Sequence, residues 1–487
     1  MPRTPSICHL IQWPEQSEAS DTYSVIDPAH LKPVASVPDM DTPDVKQAIS
    51  LAHTAQKHWA RKTARERATV LHKWYQLCMH NQSDLAKIMT IECGKPLAES
   101  MGEVAYGSSF LRWFAEEASR AYGDVIPENA KGRRLLAIKQ PVGVVAAITP
   151  WNFPNAMIAR KVAPAIAAGC SIIVKPSAET PLSALAMAYL GEEAGLPPGV
   201  FNVVTASKGS AKRIGNEMTE NALVRKITFT GSTAVGKLLS KQAASTMKKV
   251  SMELGGNAPF IVFDDADIDA AVTGCIASKF RNTGQTCVCA NRVFVHSKIY
   301  DTFAAKLSAK IREMEVGHGL EPGNQFGPLI TSDAFDKVVR HVEDAVGKGA
   351  KVLLGGKPHG LGGNFYEPTV LTGVTNEMLL AREETFGPVA GLIRFETESE
   401  VTKAANDTPF GLAAYFYTKD AGRIFRLSEA LEYGIVGVNE GIVSTEVAPF
   451  GGIKESGLGR EGSKYGMDDY MEIKYICIGG IKETLDA

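Results

Sequence analysis

A cysteine and a glutamate lie in two short segments that could together perform covalent catalysis. Cys287 follows a Gly-Gln-Thr turn and precedes an apolar run at 293–295, which predicts a thiol presented at the entrance of a strand. A thiolate is a strong nucleophile, but a free cysteine has a pKa near ~8.5 and needs a base or a positive field to react at neutral pH. Glu253 lies between apolar residues, where burial would raise its pKa toward the range of a general base.

Each segment alone has an ordinary structural explanation, since a glutamate beside a double glycine usually caps a turn or forms an ion pair. Together, residues 252–256 (Met-Glu-Leu-Gly-Gly) and 284–287 (Gly-Gln-Thr-Cys) resemble the glutamate and cysteine signatures of the aldehyde dehydrogenase superfamily, over nearly the whole chain. Residues 280–289, 446–452 and 457–466 are most similar to the succinate-semialdehyde dehydrogenase branch. The resemblance implies NAD(P)-dependent oxidation of succinate semialdehyde to succinate.

The resemblance also implies roles for individual residues. Cys287 would attack the aldehyde to form a thiohemiacetal, and Glu253 would activate the water that hydrolyses the resulting thioester. The side-chain amide of Asn152 and the backbone N–H of Cys287 would stabilise the oxyanion. Nine positions match cofactor contacts of the family, namely Trp151, Lys175, Ser177, Ala178, Gly231, Ser232, Leu254, Glu384 and Phe386. Three positions match those that bind the substrate carboxylate, namely Arg160, Arg281 and Ser444.

The choice between NADP and NAD depends on the residues after Lys175. NAD-preferring members of the family often carry a glutamate three residues after this lysine, where it binds the ribose 2′-hydroxyl, whereas this chain has Ala178. Without a carboxylate at that position Lys175 can pair with a 2′-phosphate, which predicts that NADP is accepted. Glu179, one residue further along, leaves NAD open as the alternative.

Several other interpretations stay open at this stage. Glutarate semialdehyde is one carbon longer than succinate semialdehyde, and a methylene discriminates weakly, so this substrate or a broader range of aldehydes is an alternative. Another class is a cofactor-independent thioesterase that uses the same cysteine and glutamate. A third is a binding protein that kept the fold and lost activity, as lens crystallins did, although the intact Cys287, Glu253 and Asn152 argue against it.

Two further motifs need an interpretation. Cys289 is a candidate redox partner of Cys287, provided that the loop departs from strand geometry, or else a small buried residue. Residues 231–237 have Walker A spacing, but Leu238 stands where a serine or threonine would hold magnesium, so we expect a glycine turn opening a helix instead. We expect no metal site, because no second cysteine or histidine pair is placed to complete one.

The elements that position these residues follow from hydrophobic periodicity. Helical spacing recurs over residues 44–60, 61–89 and 97–121, and from residue 142 strands alternate with helices, which predicts an α/β fold with doubly wound parallel sheets. We expect a dinucleotide-binding domain at 1–121 and 142–255 and a catalytic domain at 256–453, with 1–40 as an irregular arm. The resemblance implies a β-hairpin at 122–141 which, with 470–487, forms an oligomerisation element of a dimer or tetramer.

Composition narrows the class of protein further. A chain of 487 residues exceeds what one hydrophobic core usually serves, and 45% hydrophobic with 22% charged residues is typical of a soluble enzyme. A net charge of -2 argues against a nucleic-acid or membrane partner. Eight cysteines are too sparse for a disulfide framework, and we find no signal sequence or membrane span, so we expect a cytoplasmic protein.

Overall fold

Two sheets of mainly parallel strands form the centre of the fold, and both carry helices on their faces. The computed structural model describes residues 21–482. The strands are, in chain order, β1 (Thr22–Asp27), β2 (Lys32–Pro38), β3 (Asp124–Ile126), β4 (Arg134–Pro141), β5 (Val144–Ile148), β6 (Ser171–Lys175), β7 (Phe201–Val203), β8 (Val224–Thr230), β9 (Lys249–Glu253), β10 (Ala258–Val262), β11 (Ala290–His296), β12 (Glu315–Val316), β13 (Asn324–Phe326), β14 (Lys351–Leu354), β15 (Thr369–Thr372), β16 (Val389–Phe395), β17 (Ala413–Tyr417), β18 (Ile435–Val438), β19 (Gly457–Leu458) and β20 (Met471–Ile478).

The helices begin at the capping residues and end at the glycines that the sequence supplies. Asp41 and Thr63 each form a capping box at the start of a helix. Gly94, with φ of 77°, ends the helix that finishes at Cys93. The helices are α1 (Thr42–Trp59), α2 (Ala64–His80), α3 (Gln82–Cys93), α4 (Leu97–Glu117), α5 (Ala156–Ala168), α6 (Pro181–Ala194), α7 (Ala211–Glu220), α8 (Thr233–Ala243), α9 (Ile268–Lys279), α10 (Tyr300–Arg312), α11 (Ser332–Gly347), α12 (Leu379–Arg382), α13 (Glu398–Asn406) and α14 (Ala421–Ala430).

The first sheet has six strands in the order β19-β9-β8-β5-β6-β7, and only β19 runs antiparallel to its neighbour. Strands β5 and β6 are buried apolar runs, as expected for strands that helices cover on both faces. The order reverses between β5 and β8, because the chain passes from β5 outward to β7 and then returns to the other side of β5. In such sheets ligands bind beyond the carboxyl ends of the strands at the reversal.

The second sheet has seven strands in the order β14-β15-β16-β11-β10-β17-β18, with β14 antiparallel and the others parallel. All residues of β11 are buried, and the candidate nucleophile Cys287 immediately precedes this strand. The nucleophile therefore lies at an amino end of the second sheet. Asn152 and Gly231 follow carboxyl ends of the first sheet.

A separate antiparallel sheet of three strands has the order β20-β4-β3. The register pairs Met471 with Pro141 and Ile478 with Arg134, so the hairpin and the C-terminal strand that the sequence predicts pair within one chain. Its surface exposes several large apolar side chains, namely Tyr122, Val125, Ile473 and Tyr475.

The prediction of an irregular arm at 1–40 is wrong for residues 22–38, where β1 and β2 form an antiparallel pair. Val25 and Val37 anchor this pair by burial in the hydrophobic core. The part of the arm before residue 21 lies outside the described residues. Across 21–482, no helix combines the length and apolarity needed to cross a membrane.

Candidate active site

The turn that precedes Cys287 is strained. Asn282 and Thr283 adopt left-handed backbone conformations, with φ of 51° and 56°. Residues other than glycine hold such conformations only where their surroundings enforce them, and they cluster at functional sites. Here the Asn282 amide donates to the carbonyl oxygen of Asn152 at 2.9 Å, and the Thr283 hydroxyl donates to the carbonyl of Gly327 at 3.2 Å. These contacts hold the cysteine loop in place.

The thiol of Cys287 is half-buried, and its environment keeps it protonated at neutral pH. Burial, and after it the Glu384 carboxylate, raises the pKa of the Cys287 thiol to about 12, while Arg160 acts in the opposite direction. Attack by this thiol therefore requires a base. Among residues 21–482 no carbonyl accepts from the backbone N–H of Cys287, which leaves this donor available to an oxyanion.

Glu253 ends strand β9 in the interior, with 4% of its surface exposed. Neither carboxylate oxygen has a hydrogen-bond partner in the described part of the chain. Burial, followed by the charge of Glu461, raises the pKa of Glu253 well above its ordinary value, and Arg160 and Lys161 oppose this shift. A raised pKa makes this carboxylate a stronger proton acceptor, as a general base requires. Gly451 makes room for it, because a Cβ there would lie 2.9 Å from Glu253 Oε1.

Asn152 lies in the loop after β5, where buried charges fix its position. Its Nδ2 donates to the carbonyl of Gln285 at 3.0 Å, which uses one of its two amide hydrogens and leaves the other for a ligand. Its own carbonyl accepts from Lys95 Nζ at 2.8 Å. Lys95 forms an ion pair with Glu103, and both side chains are 1% exposed. The Lys95 ammonium also lies 3.9 Å from the centroid of the Phe153 ring.

Lys95 and Glu103 are buried charged residues beside Asn152 that the sequence analysis missed. Glu103 Oε1 accepts from the backbone N–H groups of Asn155 and Ala156, at 2.9 and 3.1 Å, and thereby caps helix α5. The pair thus joins the Asn152 loop to the start of that helix. The glycine and proline beside Lys95 indicate only a helix end, and the sequence has no signal that its ammonium is buried.

Arg160 is buried in helix α5 and already has an anionic partner. Its Nε lies 2.6 Å from Glu461 Oε2, and its guanidinium lies 3.9 Å from the centroid of the Phe450 ring. Lys161 also forms an ion pair with Glu461. Nη2 of Arg160 has no hydrogen-bond partner within residues 21–482, so part of the guanidinium stays available to an anion. Glu461, which the sequence analysis did not single out, joins Arg160 to the environment of Glu253.

Arg281 and Ser444, the other two candidate substrate residues, line one small cavity. Thr286 and Val288, the residues on either side of Cys287, belong to the same lining, as does Tyr415. Arg281 is partly exposed and carries no ion pair within 4.0 Å in residues 21–482. The guanidinium of Arg281 and the residue Ser444 therefore share a cavity with the two neighbours of Cys287 in the chain, and both side chains could bind an anion.

Glu384 and Phe386 approach the cysteine loop from the segment between α12 and β16. Glu384 Oε1 accepts from the backbone N–H of Gly256 at 3.1 Å, and burial raises the pKa of this carboxyl group to about 7. Phe386 has φ of 57° and packs edge-on against Trp151, with ring centroids 5.6 Å apart. The raised pKa of Glu384 and the left-handed backbone conformation of Phe386 both indicate a binding site at this point.

The glycine turn after β8 opens a helix whose amino end faces outward from the sheet. Ser232 caps α8 by accepting an N–H of the first turn at 3.4 Å. Gly231 donates its own N–H to the carbonyl of Glu253 at 3.0 Å, so the turn is joined to the end of β9. Gly236 packs against Leu254, where a Cβ would lie 2.3 Å from a methyl group. The free amides of a helix amino end suit a pyrophosphate.

Lys175 ends β6 with an ammonium group that is only partly satisfied. Its Nζ donates to the carbonyl of Pro176 at 3.0 Å, and burial lowers its pKa. An ammonium has three donors, so the remaining N–H groups suit ribose or phosphate oxygens. Glu179 accepts from the Ser177 hydroxyl and pairs with Lys208 at 3.2 Å. Ala178 presents only a methyl group beside them. These features fit the adenosine end of a dinucleotide.

The Walker A alternative loses support from the structure. Lys237, the lysine of the Walker A spacing, forms an exposed ion pair with Glu455 at 2.8 Å instead of lining a phosphate loop. The described part of the chain contains no group of three or more histidine, cysteine, aspartate or glutamate residues that could hold a metal ion.

The two mainly parallel sheets, the Cys287 thiol and a buried Glu253 carboxyl group whose charge acts on it are features of an enzyme with a reactive cysteine. Residues 13–476 match the model of the aldehyde dehydrogenase family, and the chain belongs to this family. This finding confirms the resemblance and the fold class that the sequence analysis predicts.

Three curated relatives are similar over almost their whole length. The 3-sulfolactaldehyde dehydrogenase of Pseudomonas putida is 57% identical over 96% of this chain and 95% of that protein. The glutarate-semialdehyde dehydrogenase of Pseudomonas aeruginosa is 57% identical over 96% of each chain. The NADP-dependent succinate-semialdehyde dehydrogenase of Escherichia coli is 58% identical over 94% of this chain and 95% of that protein.

A solved structure supports the same fold. The crystal structure of succinate-semialdehyde dehydrogenase from Burkholderia pseudomallei superposes with a TM-score of 0.93, at 57% identity and 95% coverage of both chains.

Proposed function

We propose that this aldehyde dehydrogenase oxidises succinate semialdehyde to succinate with NADP as cofactor and NAD as a weaker substitute. The observation that carries the choice of substrate is the cavity beside the nucleophile, which Arg281 and Ser444 both line. A carboxylate accepts strong, charge-assisted hydrogen bonds from a guanidinium, and an uncharged aldehyde cannot. Nη2 of Arg160 supplies a further donor near the same thiol.

The protein's own groups account for the covalent steps. Cys287 Sγ attacks the aldehyde carbon, and its proton passes to Glu253, whose raised pKa suits a temporary proton acceptor. The free amide hydrogen of Asn152 and the backbone N–H of Cys287 stabilise the oxyanion, a contribution of about 3–4 kcal/mol per well-placed donor. Loss of the hydride to the bound cofactor would convert the adduct into a thioester, and Glu253 must release the thiol proton to solvent before it acts again. Glu253 then deprotonates a water that hydrolyses the thioester at Cys287, which releases the acid and restores the thiol.

The cofactor residues divide into two groups by position. Lys175, Ser177 and Ala178 would hold the adenosine ribose, and Gly231 with Ser232 would hold the pyrophosphate at the start of α8. Leu254 would contact the cofactor beside Glu253. Trp151, Glu384 and Phe386 lie toward Cys287 and would hold the nicotinamide end. When bound, the cofactor supplies the acceptor for the hydride. On this basis residues 1–121 and 142–255 form the dinucleotide-binding domain, and 256–453 form the catalytic domain.

A second candidate substrate class deserves a direct test, because relatives of equal identity carry different names. Glutarate semialdehyde ends in a carboxylate and 3-sulfolactaldehyde in a sulfonate, and both anions suit a cavity with a free guanidinium. One methylene changes binding in a hydrophobic pocket by only about 1–3 kcal/mol, so modest activity with the longer semialdehyde is expected.

We further propose a cytoplasmic homo-oligomer, a dimer or tetramer, in which the sheet of β3, β4 and β20 forms the contact. The exposed apolar residues Val125, Ile473 and Tyr475 on this sheet support the assignment, because an uncovered apolar edge invites association. Residues 122–141 and 470–487 would then make up the oligomerisation element.

The test measures kcat and KM for succinate semialdehyde, glutarate semialdehyde and butyraldehyde, with NADP and with NAD. Arg281→Ala should raise KM for both semialdehydes by about 10- to 100-fold, because one charged hydrogen bond contributes about 1.5–3 kcal/mol, and should leave butyraldehyde unchanged. Arg394→Ala is the matched control, since Arg394 is an exposed arginine that pairs with Asp301.

Three outcomes would contradict the assignment. A wild-type enzyme that prefers butyraldehyde has no carboxylate anchor, and the substrate assignment is then wrong. A loss of all three activities in Arg281→Ala would mean that Arg281 maintains the loop and does not select the substrate. Hydrolysis of a thioester without any requirement for NADP or NAD would favour the thioesterase alternative.

A further inference from the structure

The cavity beside Ala178 has a volume of about 480 Å³, and its lining includes residues of strand β1 and residues 330–333. Ala178, Glu179, Ser207 and Lys208 also line it. Its charged lining residues are two carboxylates, Glu179 and Asp333, and one lysine, Lys208. Glu179 is the carboxylate adjacent to Ala178, where an unpaired negative charge would repel a phosphate.

The Glu179 carboxylate is not free. Its Oε2 accepts from the Ser177 hydroxyl, and its Oε1 lies 3.2 Å from Lys208 Nζ. The Glu179 side chain is 18% exposed, whereas the Lys208 side chain is 69% exposed. The Glu179 carboxylate is therefore fixed by contacts with Ser177 and Lys208. The Lys208 side chain is flexible and solvent-exposed, so its ammonium can also turn toward a second anion.

Two carboxylates, Asp39 and Glu179, act by their charges on the Lys175 ammonium. Asp39 accepts from the backbone N–H of Ser207 at 2.9 Å, so its position is fixed. Together with Asp333 of the cavity lining, these carboxylates outnumber the two lysines, Lys175 and Lys208. Removal of Lys208 would therefore make this environment more negative.

We propose that the Glu179–Lys208 ion pair enables this chain to accept the 2′-phosphate of NADP, because Lys208 neutralises Glu179, the cavity carboxylate adjacent to Ala178. Lys208 is then a specificity-determining residue, and Glu179 alone would favour NAD. The inference rests on the proposed cofactor site at Lys175 and Ala178. It explains why a glutamate one position beyond Ala178 is compatible with NADP.

The test uses isothermal titration calorimetry with two ligands that differ only in the phosphate, adenosine 2′,5′-bisphosphate and 5′-AMP. Lys208→Ala should weaken the bisphosphate about tenfold through uncancelled repulsion at a few ångströms, and should change 5′-AMP less than about twofold. The double variant Glu179→Gln/Lys208→Ala should recover most of this loss. Lys212→Ala, which removes a neighbouring exposed lysine outside the cavity lining, should match wild type.

Three results would overturn the inference. Lys208→Ala could weaken both ligands equally or neither, the double variant could stay as weak as Lys208→Ala, or wild type could bind the two ligands alike. Turnover of succinate semialdehyde with NAD separates this failure from a failure of the proposed function, because that activity does not involve the 2′-phosphate. Conversely, the enzyme could prefer another aldehyde while Lys208→Ala still weakens only the bisphosphate. That result would support the role of the ion pair and contradict only the proposed substrate.

Discussion

The buried Lys95–Glu103 pair gives the most demanding prediction, because it links a residue remote from the substrate to the oxyanion donor. Lys95→Met keeps the length of the side chain and removes the ammonium that donates to the Asn152 carbonyl at 2.8 Å. We expect kcat to fall about 10- to 100-fold, since a displacement of about 1 Å in a catalytic group can cost 10²-fold. Loss of the Asn152 amide itself sets the upper limit, about 10²–10³-fold.

The same substitution should destabilise the protein. It leaves the Glu103 carboxylate charged and buried without its cation, a change that costs about 3–5 kcal/mol when one partner of a buried pair is removed. Glu103 would still accept the two N–H groups of Asn155 and Ala156. We therefore expect a clear decrease in the melting temperature of Lys95→Met, measured by differential scanning fluorimetry at pH 7.

A double variant separates the two effects. Lys95→Met/Glu103→Gln removes the unpaired charge and keeps an acceptor for the helix N–H groups, so it should regain most of the lost stability. Its kcat should stay low, because the Asn152 carbonyl still lacks the ammonium donor. The reasoning is refuted if Lys95→Met keeps kcat within twofold of wild type, or if the double variant recovers kcat together with stability.

Three further predictions concern single side chains. Glu253→Gln should lose both the attack of Cys287 and the hydrolysis of the thioester, so that neither a burst of NADPH nor steady turnover is seen; a burst of about one NADPH per active site followed by little turnover would restrict Glu253 to the hydrolytic step. Under peroxide, wild type should lose activity through a Cys287–Cys289 disulfide and recover it with a thiol reductant. Cys289→Ala should lose activity without full recovery, and equal recovery of activity in the two proteins would exclude the disulfide. Burial raises the pKa of Glu92 to about 8. The native state therefore binds a proton that the unfolded state releases above about pH 4.5, so the stability of wild type relative to Glu92→Gln should decrease as pH rises from about 4.5 to 8. A constant difference between the melting temperatures of the two proteins over that range would contradict this prediction.

The local sequence was sufficient to predict the turn that precedes Cys287. Gly284 has φ of 76°, and a Cβ there would lie 2.2 Å from the Gly387 carbonyl, so the backbone itself requires glycine beside the cysteine. The order of strands and helices from residue 142 onward also follows from periodicity, because apolar runs and glycine ends are local signals. Sequence reasoning failed at 22–38, where short strands alternate only weakly between apolar and polar residues.

Tertiary structure alone decided how charge is distributed around these local elements. Lys161 and Glu461 are 300 positions apart and form a buried ion pair, and Lys95 reaches Asn152 across 57 positions. A buried charge must have a partner, but the need for a partner does not say where in the chain it lies. The sequence therefore determined which groups could perform the chemistry. The packing of the two sheets decided which charges surround Glu253, Asn152 and Ala178, because pKa values and cofactor specificity depend on distances in space.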